Sequence, residues 1–375
     1  MTDARQAKDD NLALMREITG RARPQDAHIV EGIRSFLSKQ HDLGGRLVDI
    51  VVDKTPRSSG ASSGTVLFDA RIKDKAGQSR TLPLVFRYDL GGAFFFQYDL
   101  IPQFAIMRAL NGAGYPAPQA LWLDRNGDIA GKPGLFMRRV DAPLPGGQPF
   151  AQGPLADAAP QDRRTMILNA VRCFARLHRL DPEAIGVEFL QRRGEGATFI
   201  ERAIGWDGAE LLHALPLGFG GDRQSYYEAV RSDLLQVRDH LLATMPRDRR
   251  PELVHGDPNL SNVMYRGTDI AAVLDWELSH LGLGEADLAY CMAGMAHFLL
   301  TLDPIPGIPS EDELIETYAA ARGGVRDWEF CRLWGEWRLA IYQVMAFSRL
   351  PPEMQHLEEM YWRHSRGRLS QSIAL

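Results

Sequence analysis

The apolar pattern changes character once along this chain of 375 residues, and that change limits the folds open to it. After Gly44-Gly45, residues 46–54, 65–73 and 81–88 are rich in β-branched side chains and partly alternate. A Ser/Gly loop and Lys75-Ala76-Gly77-Gln78 separate them. Alternation at period two puts every second side chain on one face of a pleated strand, so the three runs predict an antiparallel meander. Pro83 makes the third run an imperfect strand, because proline brings no N–H to a ladder. Ahead of the meander, Ile29, Ile33, Phe36 and Leu37 recur at helical spacing after Asp26, a helix signal. Behind it, Pro102 stands in the first turn of a short helix whose apolar face is Ile106, Met107 and Leu110, and Gly134-Leu135-Phe136-Met137 gives one more strand. Residues 141–160, rich in Pro, Gly and Ala, read as a linker. Beyond them Ile167, Ala170, Val171, Phe174 and Leu177 mark a buried helix that Asp181-Pro182 brings to an end. Short strand-like pieces at 252–254 and 270–274 interrupt further helices. The expectation is an α+β chain: a helical segment over 1–45, a β-rich lobe over 46–140 and a larger helical lobe over 141–375.

Composition excludes several classes of protein. With 45% apolar and 24% charged residues the chain can bury a large core, and a formal charge of −5 argues against a nucleic-acid partner. Three scattered cysteines, Cys173, Cys291 and Cys331, form no CxxC pair and point to neither a disulfide framework nor a zinc site. Residues 288–302 are too few for the ~20 that span a bilayer, and the N-terminal residues carry no apolar signal region. The expectation is a cytoplasmic protein with no membrane span. Composition is silent on the oligomeric state.

The most informative residues are His255-Gly256-Asp257-Pro258-Asn259-Leu260-Ser261-Asn262, followed by Val273-Leu274-Asp275-Trp276-Glu277. Asp257 and Asn262 stand five apart, the offset of the Asp and Asn in the kinase catalytic loop H-R-D-x-x-x-x-N, and a second Asp follows on the next strand. Phosphoryl transfer calls for three such groups. One carboxylate receives the proton of the attacking hydroxyl, while an amide oxygen and a second carboxylate suit the hard Mg²⁺ ion that bridges nucleotide phosphates. The competing structural reading is a polar turn between two strands, with Asp275 capping a helix.

HGDPNLSN followed by LDWE resembles the aminoglycoside phosphotransferase family, kinases of small molecules that share the protein-kinase fold. The resemblance runs over about residues 50–347 and implies a two-lobe kinase-like fold with the active site between a β-rich N-lobe and a mostly helical C-lobe. It implies that Asp257 is the catalytic base, that Asn262 and Asp275 are the metal ligands, and that His255 braces the loop. It further implies a phosphate-covering loop in Ser58-Ser59-Gly60-Ala61-Ser62-Ser63-Gly64, with Ser59, Gly60, Ser62 and Ser63 beside the nucleotide. Met137 and Arg138, within Phe136-Met137-Arg138-Arg139-Val140, match the hinge whose backbone pairs with adenine. The chain departs from the family where a strand Lys and a helix Glu usually stand, since it has Arg87 and Gln103 there. Arg87 keeps a permanent charge and a planar fork suited to phosphate, whereas Gln103 offers only an amide. A second departure, Gly282-Leu283-Gly284 before Glu285-Ala286-Asp287, leaves Asp287 as a helix cap that steadies the loop rather than a ligand.

Three further features have bland readings. The aromatic run in Gly91-Gly92-Ala93-Phe94-Phe95-Phe96-Gln97-Tyr98 reads as packing rather than a nucleotide lid. His178, ending an apolar helix, reads as a C-terminal cap. Residues 285–375 hold 13 acidic against 8 basic residues, which read as solvated surface, with a cationic substrate as the alternative. The implied activity is ATP- and Mg²⁺-dependent phosphorylation of the hydroxyl of a small molecule. Its acceptor is open: aminoglycosides and amino-alcohols suit the family, and the LDWE form also resembles kinase domains fused to certain acyl-CoA dehydrogenases, which implies hydroxyacyl thioesters. A nucleotide-binding module without turnover is the rival reading.

Overall fold

The computed structural model describes residues 27–53, 63–90, 99–192, 194–214, 223–347 and 355–375. They form two compact units, one ending at Asp141 and the other running from Ala142 to Leu375.

The first unit is a five-stranded antiparallel sheet in the order β1-β2-β3-β5-β4. Its strands are β1 (Arg46–Val52), β2 (Ser63–Lys73), β3 (Ser79–Asp89), β4 (Ala120–Asp124) and β5 (Gly134–Arg138). Helix α1 (Ala27–Ser38) sends Ile33 and Leu37 into the apolar cluster on this sheet, where Phe68, Phe86 and Phe136 lie fully buried. Phe36 stacks on Phe136 with ring centroids 4.9 Å apart. Helix α2 (Leu100–Gly112) starts at Asp99, whose side chain accepts from the Ile101 N–H.

Pro83 sits inside β3, opposite Asp69, and the pairing explains why it is tolerated. Its carbonyl accepts from the Arg139 N–H, so the edge on which its own N–H is missing faces β5. The β3–β5 ladder begins one residue later, at Leu84 and Arg138, and no ladder bond is lost. Strand β4 was not foreseen in the sequence. It buries Ala120, Trp122 and Asp124 on alternate positions, and the buried acid interrupts the apolar signal while its carboxylate accepts from the N–H groups of Asp128 and Ile129.

The second unit is mainly helical: α3 (Pro160–Leu177), α4 (Phe199–Ala214), α5 (Gln224–Thr244), α6 (Gly284–Leu299), α7 (Glu311–Arg322), α8 (Trp328–Phe347) and α9 (Gln355–Leu369). Two short hairpin-like pairs join it, β6 (Glu252–Val254) with β9 (His280–Gly282) and β7 (Val263–Arg266) with β8 (Asp269–Val273). Helix α6 is buried nearly all round its first three turns, which marks it as the central helix of the unit. Helix α8 packs along it and α9 along α8. Among the described residues no helix is long and apolar enough to cross a membrane. The three cysteines are buried and unpaired with one another.

A polar chain ties α6, α8 and α9 together. The Gln343 amide donates to His297 Nδ1 at 2.7 Å, and the Ser365 hydroxyl donates to Gln343 Oε1 at 2.5 Å. His297 stacks on Tyr361 with centroids 4.1 Å apart. Burial pushes the His297 imidazole down to about 3, with His364 adding to the effect. As pH falls below the ordinary histidine value the unfolded chain takes up a proton that the folded chain refuses, so stability declines from about pH 6.5 toward pH 3. We expect denaturation at pH 7 and pH 5 to differ by ~1–2 kcal/mol on account of this group. His297→Gln, which keeps an acceptor for Gln343, should flatten that slope.

Candidate active site

The His255–Asn262 loop leaves β6 and enters β7 through a turn that sequence and backbone both constrain. Gly256 has φ +86°, and a Cβ there would stand 2.0 Å from the Leu278 carbonyl oxygen, so only glycine fits. The N–H groups of His255 and Gly256 both donate to the Asp287 carboxylate, at 2.7 and 3.1 Å. His255 Nε2 donates to the Leu274 carbonyl at 2.7 Å, which leaves Nδ1 to accept from the Asp257 N–H at 3.2 Å. One ring thereby joins the Asp257 turn to the residue before Asp275. The His255 carbonyl accepts from the Ser279 hydroxyl, and Trp276 lies against the His255 ring at 4.6 Å.

Asp257 is half-buried and well supplied with donors. Its Oδ1 accepts from Asn259 Nδ2 at 2.5 Å and its Oδ2 from Asn262 Nδ2 at 2.9 Å. Burial raises the Asp257 carboxyl above the ordinary carboxylate range, the nearby Asp275 charge adds to the rise, and the donors oppose it.

Asn262 commits its amide nitrogen twice, to Asp257 Oδ2 and to the Asp257 carbonyl, each at 2.9 Å. Its amide oxygen is the end left for another ligand. The Asn262 carbonyl accepts from the Leu274 N–H at 2.7 Å, and Val263 pairs with Val273, so the hairpin holds Asn262 and Asp275 near the same end. Asp275 adopts a left-handed conformation, φ 63° and ψ 66°, without capping the turn that follows. That excludes the cap reading. An amide oxygen and a carboxylate suit a hard cation that takes its other ligands from phosphates and water. Among the described residues no three His, Cys, Asp or Glu side chains gather as an all-protein cage.

Behind the loop lies a buried polar network. His178 Nε2 contacts Asp287 Oδ2 at 3.2 Å and His178 Nδ1 pairs with the Tyr318 hydroxyl at 2.8 Å. Arg338, itself buried, sits 3.9 Å from Asp287 and 2.8 Å from Asp207. Burial alone pushes the Asp287 carboxyl up, but His178 and Arg338 more than offset it, and the group titrates below the ordinary range. His178 occupies the C-cap position of α3, as expected, and its buried ring also braces this network. Asp287 supports the loop as expected, by accepting backbone N–H groups and not by capping its own helix.

In the first unit the expected nucleotide residues fall differently from the sequence reading. Ser63 is not in a phosphate loop: it opens β2, is fully buried, and its hydroxyl accepts from Arg87 Nε and Nη2 at 3.0 and 2.8 Å. Ser59, Gly60, Ser62 and the aromatic run at 91–98 lie outside the described residues. Gln103 is buried on α2 and its amide donates to the Asp99 carbonyl at 3.4 Å. Met137 and Arg138 belong to an interior strand. β5 runs between β3 and β4, and the Arg138 N–H already donates to Gln119, the Arg139 N–H to Pro83.

The acidic excess of residues 285–375 is largely consumed in ion pairs. Arg249 holds Glu285 and Asp327, Arg368 holds Glu311 and Glu336, Arg164 holds Glu313, and Arg223 holds Glu358. Sequence reasoning assigned no role to Asn259, which donates to Asp257, or to Gly294, which the Asn259 amide oxygen approaches. A signal for Gly294 was present, since Asp287 and Gly294 stand seven apart on one face of α6.

With this geometry in hand, the relatives fix the class. Residues 97–334 match the phosphotransferase enzyme family, and the chain belongs to it. It is an enzyme of the kinase-like α+β class. Acyl-CoA dehydrogenase family member 11 of Rattus norvegicus is 27% identical over 87% of this chain and 40% of its own length. Acyl-CoA dehydrogenase family member 10 of Mus musculus is 28% identical over 66% of this chain and 22% of its own length, so the chain spans well under half of these relatives. Among solved structures, a Ralstonia eutropha protein assigned as an aminoglycoside phosphotransferase matches with a TM-score of 0.62 at 19% identity, covering 91% of this chain and 96% of that one. A Plasmodium vivax ethanolamine kinase matches with a TM-score of 0.57 at 12% identity, covering 98% of this chain and 94% of that one.

Asp287→Asn tests the support of the loop. An isosteric amide turns a donor toward one of two buried N–H groups that have no other outlet, so unfolding free energy should drop by ~2–4 kcal/mol in a urea titration. A loss below ~0.5 kcal/mol would mean that the loop is held by its other contacts.

Proposed function

We propose that this chain transfers the terminal phosphoryl group of a nucleoside triphosphate, ATP with Mg²⁺, to a hydroxyl group of a small molecule. The observation that carries the reading is the Asp257 carboxylate, partly exposed and fixed by two amides, with Asn262 and Asp275 tied to it through one hairpin. Asp257 is the group that receives the proton of the acceptor hydroxyl. Its raised proton affinity suits that role, because a strongly acidic carboxyl is a poor proton acceptor. Asn262 Oδ1 and the Asp275 carboxylate would hold the cation, with the Asn262 nitrogen anchored to Asp257 so that its oxygen is turned outward. The nucleotide supplies the phosphoryl group and the cation offsets its charge when both are bound. Solved neighbours of the fold include an ADP complex of a spectinomycin phosphotransferase and a GDP complex of an aminoglycoside 2'-phosphotransferase, which supports nucleotide use without fixing the base.

For the acceptor, hydroxyacyl thioesters come first, because the curated relatives of highest coverage carry acyl-CoA in their names. Amino-alcohols follow, from the ethanolamine kinase neighbour. The deciding experiment supplies γ-labelled ATP and Mg²⁺ with a panel of hydroxyacyl thioesters, amino-alcohols and aminoglycosides, and follows label into the acceptor. Asp257→Asn should slow transfer by ~10²- to 10⁴-fold with nucleotide binding preserved. Label reaching only free phosphate, or unchanged turnover in Asp257→Asn, would sink the reading.

Arg87 is the proposed phosphate grip. Its guanidinium is steadied by the buried Ser63 hydroxyl, so the fork is already ordered before a ligand arrives. Calorimetric titration should give about tenfold or more weaker binding of ATP to Arg87→Ala, with adenosine binding nearly unchanged. Equal loss for ATP and adenosine would assign Arg87 to the sheet rather than to the phosphates.

A further inference from the structure

The motif spacing requires Asp257 and Asn262 but says nothing of Asn259, two residues past the acid. An ionised carboxylate only accepts, so the Asn259 atom 2.5 Å from Asp257 Oδ1 is the amide nitrogen, and this fixes which way the amide points. Asn259 Oδ1 then faces helix α6 at Gly294. A Cβ on residue 294 would stand 2.3 Å from that oxygen, far inside contact distance, so any other residue there displaces the amide. Gly294 is a helix-interior position where alanine would favour the helix more, and what glycine supplies in exchange is room for Asn259.

We propose that Asn259 is a positioning residue that fixes the rotation of the Asp257 carboxylate, and that Gly294 is the seat on helix α6 that makes this possible. The inference rests on the reading of Asp257 as the proton acceptor. Asn262 engages Oδ2 from one end of the loop and Asn259 engages Oδ1 from the other. A carboxylate held at one oxygen turns easily about its terminal torsion, whereas one held at both keeps its plane. The acceptor hydroxyl has to meet a lone pair of that plane, and misplacement at the reacting atoms costs rate far more than it costs substrate affinity.

Four variants of the chain test this beside Asp257→Asn and Asp257→Ala as references, with Mg-ATP and an acceptor that takes up label in the panel above. Asn259→Ala and Gly294→Ala should each lower kcat by about tenfold to a hundredfold while KM for Mg-ATP stays within about twofold. The double variant should be no slower than the slower single, because both remove the same contact. Asn259→Asp, matched in shape but unable to donate from an ionised side chain, should be at least as slow as Asn259→Ala; near-normal kcat there would make Asn259 a space-filler and overturn the proposal. Effects that multiply in the double variant would also overturn it, since Gly294 would then act by another route. A readout free of turnover is the side-chain NH₂ signal of Asn259 in protein labelled with ¹⁵N-asparagine. Gly294→Ala should move that signal toward its position in Asp257→Ala, and an unmoved signal rejects the seat. Loss of kcat in Asp257→Asn with full kcat in Asn259→Ala defeats this inference alone, whereas full kcat in Asp257→Asn defeats the reading beneath it.

Discussion

One buried carboxylate carries the loop. Asp287 lies in the first turn of the central helix and accepts from two successive backbone N–H groups, His255 and Gly256, at the point where the chain leaves a strand and can no longer satisfy them by pairing. Buried N–H groups without partners are costly, so the turn is stable only with that acceptor in place. The carboxylate in turn needs cationic or donating neighbours to stay ionised away from water, and His178 and Arg338 supply them. The support thus extends over helices α3, α6 and α8, all in the second unit.

That support also explains why two stretches of sequence thirteen residues or more apart act together. From Asn262 to Asp275 the chain goes out along β7 and returns along β8, and the Val263–Val273 pairing brings its ends together. His255 closes the arrangement from the other side by donating to the Leu274 carbonyl while accepting from the Asp257 N–H. A side chain that bridges two backbones in this way fixes the separation of Asp257 and Asp275 without contacting either carboxylate. The left-handed backbone of Asp275 fits the same logic: strain of this kind persists where surrounding structure overdetermines it, and here β8 and the Trp276 anchor do so.

Much of this was legible in the residues because local rules and chemistry agreed. The meander, the helix after Pro102 and the His255–Asn262 loop between short strands follow from periodicity and turn chemistry. What escaped was long-range. Strand β4 hid because Asp124, an acid, occupies an inward position to satisfy a neighbouring loop. Ser63 looked like loop because it sits in a Ser/Gly run, yet its pairing with Asp89 and its bond to Arg87 depend on a partner strand twenty-odd residues on. His178 gave only the signal of a helix end, since nothing local reveals that the ring meets Asp287 and Tyr318 more than a hundred residues later. Asn259 lay within the motif but carries its meaning only beside Gly294.

Charge counting is a coarse guide for a related reason. The excess of acids after residue 285 reads as solvated surface with a cationic acceptor as the alternative, and Arg249, Arg223 and Arg164, which lie outside that stretch, pair with acids within it. Net charge over a sequence window is not a potential over a surface, because folding brings in partners the window omits. Buried pairs such as Arg249 with Glu285 contribute little field at the surface, whatever they add to the count. The acceptor's chemistry therefore has to be sought in what lies around Asp257. There the groups that reach the carboxylate are the Asn259 and Asn262 amides, neutral donors that orient it without adding charge beside it. On the proposed reading, such a site would meet the acceptor through its hydroxyl proton and leave the rest of the molecule to be recognised elsewhere.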